Sequence, residues 1–165
     1  MGAKGRFPAR RAQPSLGKEK TMIQQLSIYL ENRKGALQGI TRLLTDARIN
    51  MNTLIASDSA EYGIIRMLVS DPEKAEAALQ KSGLMCRREW VLAVAISDEC
   101  GSLDRLLQTL LDGNINIDYV YVTYSCLSKL PVAIMKTNDM WEVEEFLTAK
   151  GFAQVERIAE DTAPV

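Results

Sequence analysis

The stretch that decides the fold is Leu30-Glu31-Asn32-Arg33-Lys34-Gly35-Ala36-Leu37. Before it, residues 24–30 alternate between apolar and polar side chains, which is typical of a strand with one buried face. After it, apolar residues recur every three or four positions and predict one face of a helix over 36–47. The stretch therefore predicts a strand, a glycine turn and a helix in succession.

The same pattern returns further along the chain. Gly101 stands 66 positions after Gly35, and Asn116 stands 66 positions after Asn50. A constant offset over many positions indicates an internal repeat. Each copy predicts the order βαββαβ. In the first copy the remaining elements are strands at 51–57, 64–69 and 84–89 and a helix from Asp71-Pro72 to Gly83. From the second hairpin onwards the offset becomes 68, so that hairpin loop holds two more residues.

Two βαββαβ units predict an α+β fold, with two ferredoxin-like units whose antiparallel sheets carry both helices on one face. We expect the units at 22–89 and 90–158, followed by a tail at 159–165. Residues 1–21 hold six lysines and arginines against Glu19 alone, with Pro8 and Pro14 among them. This basic leader is expected to be disordered, and it could also derive from cloning or from the start site.

Composition excludes several classes of function. The 165 residues include no histidine, so imidazole-based catalytic triads and the common zinc sites built on histidine cannot form. No apolar run approaches the ~20 residues that span a bilayer. Three widely spaced cysteines favour free thiols in the cytoplasm over a disulfide framework. We therefore expect a cytoplasmic protein without metal or cofactor, and an enzyme of this composition would have to work with carboxylates, lysine or thiol alone.

The first strand of the second copy is apolar on both faces. Val91, Ala93 and Ala95 alternate with the residues expected in the core, and the later strands continue the pattern through Val120, Val122, Ala133 and Met135. A strand that is apolar on both sides is usually covered on both sides. The pattern predicts a self-association surface, and hence a homodimer, with cover from the C-terminal tail as the alternative.

The motif Leu-Glu-Asn-x-x-Gly-x-Leu at 30–37, followed by Ile49-Asn50 at the second strand, resembles the ACT domain. The doubled motif covers residues 22–158 and is similar to the small stand-alone proteins made of two ACT domains. Lys34 and Cys100 replace the proline that usually precedes the glycine in this family. The resemblance implies a non-enzymatic regulatory protein that binds an amino acid at the interface of paired units.

The candidate ligand-binding residues lie at the two glycine loops and at the far ends of the helices that follow them. A glycine turn permits close backbone approach, and a helix N-terminus offers N–H groups to a carboxylate. Polar residues where the second strand begins are expected to reach a neighbouring unit's loop and to bind an ammonium group. Structural roles in turns and helix ends remain the alternative. The set is Asn32, Arg33, Lys34, Gly35, Ala36, Leu37, Asn50, Asn52, Gly101, Ser102, Leu103, Asn116 and Asp118.

Three other functions compete with this one. The nearest is the regulatory subunit of an amino-acid biosynthetic enzyme, similar to the small subunit of acetolactate synthase, which would add a catalytic partner. RNA-recognition domains share the βαββαβ order, but they require aromatic residues on the third strand, and neither 64–68 nor 132–135 contains one. An acylphosphatase-like enzyme would need a phosphate-binding first loop, where Glu31 lies beside Arg33. We expect neither nucleic acid nor membrane as a partner.

Overall fold

The computed structural model describes residues 21–57 and 62–160. The expected basic leader lies outside these residues except for Thr21, and so do the hairpin residues 58–61 and the last five residues of the expected tail. The elements in chain order are β1 (Ile23–Glu31), α1 (Ala36–Asp46), β2 (Met51–Ser57), β3 (Tyr62–Val69), α2 (Pro72–Lys81), β4 (Met85–Ala95), α3 (Ser102–Asp112), β5 (Ile117–Ser125), β6 (Leu130–Thr137) and α4 (Met140–Ala149).

The strands form one antiparallel sheet in the order β2-β3-β1-β4-β6-β5. Together with four helices, this confirms the predicted α+β fold of tandem ferredoxin-like units. Each half of the sheet has the strand order expected of a βαββαβ unit, because the second strand lies at the edge and the first lies inside.

Strand β4 belongs to both halves. Its residues 85–91 pair with β1, and its residues 92–95 pair with β6. The sequence predicted two separate strands here, at 84–89 and from Leu92, whereas the chain is one continuous strand. The pairing of β1 with β4 ends at Ile23, the first residue of β1, which lies opposite Val91. Further along β4, the C-terminal segment replaces β1 as its neighbour, through a single bridge between Val94 and Gln154. The closing strand of the second unit is thus reduced to this short contact.

The helices cover one face of each half through the apolar stripes that the sequence predicts. Residues Ile40 and Leu44 of α1 pack with Leu26 and Ile28 of β1 in a core that α2 completes. The second half repeats this arrangement with Leu92, Val94, Leu106, Leu110 and Leu147. These two cores hold the N-terminal ends of α1 and α3 in equivalent positions against the sheet.

A third core joins the two halves on the faces that carry no helix. The hydroxyl oxygens of Thr53 in β2 and Thr123 in β5 lie 2.8 Å apart, although these strands are at opposite ends of the sheet order. The sheet therefore folds back on itself, and the two inner faces pack together. Members of this core are Leu68, Val91, Ala93, Tyr121, Val132, Ile134, Val155 and Ile158.

This third core corrects the predicted self-association surface. Val91 and Ala93 are buried within the chain, against residues of its first half and of the C-terminal segment. The structure therefore agrees better with the alternative, in which the C-terminal tail covers this face. Ala133 and Met135 lie in the helix-side core instead. Only Val120 and Val122 of the predicted surface stay exposed. They lie on the edge strand β5, of which only the first residue, Ile117, packs against the helix-side core.

Candidate functional site

The first glycine loop joins β1 to α1 and leaves backbone donors free. Gly35 is the N-cap of α1 at φ 81° and ψ −6°, a left-handed conformation that glycine adopts without strain. The amide of Ala36 donates to the carbonyl of Arg33, at 3.2 Å, and no side chain caps the helix. Among the described residues, the next two amides, of Leu37 and Gln38, have no hydrogen-bond acceptor. Unpaired amides at a helix N-terminus attract an anion.

A pocket of about 340 Å³ lies against this loop. Four elements or their ends contribute to it: the end of β1 with the loop, the first turn of α1, the end of β2 and the start of β3. Its walls are Leu30, Glu31, Asn32, Arg33, Ala36, Leu37, Ala56, Ser57, Gly63 and Ile65. The volume lies at the lower end of the range of small-molecule sites.

The pocket is polar on one side and apolar on the other. Ile65 is buried and Leu30 is half-buried, whereas Glu31 and Arg33 at the rim are exposed by 68% and 70% of their side chains. Their charged groups approach to 3.6 Å, from Arg33 Nε to Glu31 Oε2. An exposed pair of this kind contributes only about 0–1 kcal/mol, so a ligand could separate it at little cost.

The structure brings together some of the predicted residues and separates others. Asn32, Arg33, Ala36 and Leu37 line the pocket, while Lys34 and Gly35 form the exposed loop beside it. The other predicted residues of the first unit, Asn50 and Asn52, bond to each other at 3.2 Å at the opposite end of β2. That end lies about 20 Å from the pocket at ~3.3 Å per strand residue. Gly101, Ser102, Leu103, Asn116 and Asp118 belong to the second unit and do not line the pocket.

Sequence reasoning missed six lining residues, which come largely from the strands. Strand pairing sets Glu31 opposite Tyr62, and this register carries the start of β3 and the end of β2 to the loop. This register depends on how β2 and β3 align within their hairpin, which the sequence pattern does not predict. The missed residues are Leu30, Glu31, Ala56, Ser57, Gly63 and Ile65.

The second glycine loop has the same backbone but different side-chain contacts. Gly101 is the N-cap of α3 at φ 89° and ψ −2°. Behind it, the hydroxyl oxygens of Ser97 and Ser102 lie 2.6 Å apart, and Arg105 Nη2 donates to Ser97 Oγ at 3.3 Å. Ser102 is only 5% exposed. Ser97, Ser102 and Arg105 thus bond to one another.

A polar network at the junction of the two halves begins at the pocket wall. Arg66 Nη1 donates to Ser57 Oγ at 3.1 Å, and the guanidinium of Arg66 lies 3.9 Å from the centre of the Tyr119 ring. Gln25 Nε2 donates to the Tyr119 hydroxyl, while the Tyr121 hydroxyl donates to Gln25 Oε1, both at 2.7 Å. Burial raises the pKa of both tyrosine hydroxyls, so these groups stay protonated and keep the network intact at neutral pH.

Neither a metal site nor a membrane span is found in the part of the chain that the structure describes. No three Cys, Asp or Glu side chains within 21–57 and 62–160 are grouped so that they could hold an ion. Over the same residues, every helix is too short or too polar to cross a bilayer.

Comparison with known proteins points to one family. The sequence profile described as "ACT domain pair" matches residues 21–160. No curated protein sequence matches the chain. Among solved structures, protein BT0572 from Bacteroides thetaiotaomicron is 28% identical with a TM-score of 0.75, over 82% of this chain and 94% of that one.

Two aspartate kinase structures share the fold at lower identity. The regulatory subunit of aspartate kinase from Thermus thermophilus, in its ligand-free form, is 12% identical with a TM-score of 0.58, over 79% of this chain and 91% of that one. Aspartate kinase from Clostridium acetobutylicum is 11% identical with a TM-score of 0.51, over 78% of this chain and 33% of that one.

Proposed function

This chain belongs to the ACT domain pair family, and from that premise we propose that it is a non-enzymatic regulatory protein that binds an amino acid in the pocket at its first glycine loop. The observation that carries the proposal is the position of this pocket. It lies between unpaired helix amides, a carboxylate at the rim and an apolar wall, which are the three surfaces that an α-amino acid needs.

The carboxylate of the ligand would bind at the start of α1. The free amides of Leu37 and Gln38 can donate to it, and the helix dipole adds about 0.3–1 kcal/mol in favour of an anion there. Arg33 at the rim adds a second attraction, which salt screens because the side chain is exposed. No strain in the loop opposes this approach, since Gly35 tolerates the left-handed conformation.

The ammonium group of the ligand would bind to Glu31. This carboxylate is at the rim, and its present partner is an exposed arginine that an ammonium group can replace. The polar residues predicted for this role, Asn50, Asn52, Asn116 and Asp118, do not line the pocket within one chain. They keep that role only if a second copy brings them to it.

The side chain of the ligand would lie on the apolar wall. Ile65 and Leu30 form the buried part of this wall, and Ala36 and Ala56 keep it shallow. Burial of apolar surface contributes about 25 cal/mol per Å², so an aliphatic side chain gains more here than a charged one, which would lose its hydration. We therefore expect an aliphatic L-amino acid to bind best.

A thermal-shift screen of the twenty amino acids, each as L and D enantiomers, tests the proposal. Ligand at about 100 times its dissociation constant stabilises by roughly 2.7 kcal/mol, which corresponds to about 5–10 °C for a protein of this size. Glu31→Gln should abolish the shift, whereas Glu142→Gln, which removes an exposed carboxylate from α4, should leave it unchanged. If no amino acid at millimolar concentration shifts the melting temperature, the proposal is wrong.

An exposed apolar strip favours a partner as well. Val120, Val122 and Tyr124 lie on the helix-bearing side of the edge strand β5, and Val122 is 44% exposed. The predicted homodimer would cover this strip with a second copy, and a regulatory-subunit role would cover it with a catalytic enzyme. The three free cysteines agree with the predicted cytoplasmic location. A second copy of the chain or a catalytic enzyme would be available there as a partner.

Light scattering and affinity capture separate these two partners. A homodimer should persist at micromolar concentration and dissociate in Val122→Glu, but not in Leu111→Glu, which places the same charge at an exposed position on α3. A monomer that captures a single large enzyme through the same strip would identify the regulatory subunit instead. The RNA-binding alternative loses its surface, because the sheet faces without helices are buried against each other.

A further inference from the structure

The repeat allows the two glycine loops to be compared residue by residue. With the offset of 66, Ser97, Ser102 and Arg105 of the second unit correspond to Glu31, Ala36 and Gly39 of the first. Both loops hold their N-cap glycine in the same left-handed conformation, at φ 81° in one and 89° in the other. The loops therefore differ in their side chains and not in their backbone.

In the second loop these side chains bond to one another at positions whose counterparts lie at or near the pocket of the first. Ser97 and Ser102 are the counterparts of two residues that line the pocket, and their hydroxyl oxygens lie 2.6 Å apart. Arg105 reaches back across the first turn of α3 and donates to Ser97, at 3.3 Å. Ser102 beneath is 5% exposed, whereas its counterpart Ala36 stays partly accessible.

The first unit lacks each part of this arrangement. Gly39 has no side chain, and beyond its own helix backbone a Cβ atom built on it would meet no heavy atom of the described residues within 4 Å. Ala36 has no hydroxyl, and Glu31 turns to Arg33 at the rim. A further difference lies in the hairpin, where Pro131 stands 68 positions after Gly63, a residue of the pocket wall. The first unit thus has no counterpart of the exposed Arg105, which reaches across the loop of the second unit to Ser97.

We propose that the second unit carries a closed copy of the site, in which Arg105, Ser97 and Ser102 occupy the space of a ligand. Each chain then offers one amino-acid pocket instead of two. The identity of the ligand rests on the function proposed above, but the closure does not, because it concerns contacts within the chain. An arginine fits this role because its guanidinium supplies several donors on a long side chain that can lie across a loop.

Thiol accessibility tests the closure without any ligand. In a chain carrying Cys100→Ser and Cys126→Ser, Ala36→Cys and Ser102→Cys place matched thiols in the two loops, while Cys86 stays buried. Ellman's reagent should modify the first-loop thiol at least about tenfold faster than the second, because the latter reacts only after local opening. Arg105→Ala should raise the rate of the second thiol towards that of the first, and Gln108→Ala, on the same helix, should not.

Equal rates for the two thiols, or a second-loop rate that Arg105→Ala leaves unchanged, would overturn the closure. If Ser102→Cys does not fold, Gly39→Arg in the first unit gives the converse measurement. Gly39→Arg should slow the reaction of the thiol at position 36 with Ellman's reagent, whereas Gly39→Ala should not. A reaction rate that Gly39→Arg leaves unchanged would count against the proposal.

Calorimetric titration then links the closure to binding. The probe is whichever of the twenty amino acids gives the largest thermal shift, and the wild-type chain should bind one equivalent. Two equivalents would overturn the single-site inference even if every amino-acid prediction held. No binding by any amino acid would overturn the proposed function, while the thiol rates would still decide whether the second loop is closed.

Discussion

Two glycines at the start of α1 should respond to the same substitution with opposite signs. Gly35 and Gly39 lie four residues apart, and both are exposed. Beyond the adjacent backbone, a Cβ atom on either would meet no heavy atom within 4 Å in the part of the chain that the structure describes. Replacement by alanine therefore creates neither a clash nor a cavity. The difference is confined to the backbone, because Gly35 has a φ of 81°, whereas Gly39 lies inside the helix.

The expected magnitudes follow from these conformations. An alanine in the left-handed conformation destabilises the folded state by about 1–2 kcal/mol. Alanine also lowers the conformational entropy of the unfolded chain, which stabilises the protein by about 0.4–1 kcal/mol, so Gly35→Ala should destabilise it by roughly 1 kcal/mol in total. Gly39→Ala should stabilise by about 0.5–1 kcal/mol, the difference between the two residues in a helix interior. The variants should thus differ by about 2 kcal/mol, or roughly 4–8 °C in melting temperature.

Urea denaturation of both variants measures these free energies directly. Equal slopes with denaturant would show that the substitutions change stability and not compactness. A neutral or stabilising Gly35→Ala would refute the reasoning, since it would mean that the left-handed turn at the pocket is absent in solution. Destabilisation by Gly39→Ala would refute the separate expectation that this residue lies in an exposed helix interior. A correct result would establish the loop conformation on which the proposed carboxylate site depends.

The other predictions concern the loops and the junction between the halves. Gly35→Val should abolish amino-acid binding by blocking backbone approach, while Gly101→Val should weaken it much less; equal losses in calorimetry would contradict this. Gln25→Leu should destabilise by about 2–4 kcal/mol in urea, because it leaves the hydroxyls of Tyr119 and Tyr121 without their amide partner, and a loss below about 1 kcal/mol would show that they find other partners. Burial raises the pKa of Tyr121 above its ordinary value of 10.0, so its contribution to stability is complete below that pH and is lost as the pH rises further. Unfolding free energies measured between about pH 8 and pH 11 should fall less steeply in Tyr121→Phe, and an unchanged slope would contradict the assignment.

The elements of the fold could be predicted because their signals are local. The stripe through Ile40 and Leu44 and the alternation through Leu26 and Ile28 both lie in the buried core. The continuity of β4 could not be predicted in this way. The strand carries two successive apolar patterns, for two different halves, and only long-range pairing shows that they form a single strand.

The candidate site was predictable only in part, for a related reason. Loop residues such as Asn32 and Arg33 follow from the glycine turn, which is a local feature. The opposite wall, with Ala56 and Ile65, comes from a hairpin that only sheet register brings to the loop. The sequence predicts a surface between chains at the apolar face of β4, because it does not show that the sheet folds back on itself.

The shared strand also limits the way in which the protein can transmit a signal. Every residue from Met85 to Ala95 is in β4, so a hinged linker is absent between the halves over these residues. Opening and closing of one half against the other, as in two-domain binding proteins, would break backbone hydrogen bonds of this strand. A ligand in the proposed pocket would instead act through the sheet that runs through both halves, for example by changing its twist. A partner bound to the second half would then respond to ligand binding in the pocket through this change in the sheet.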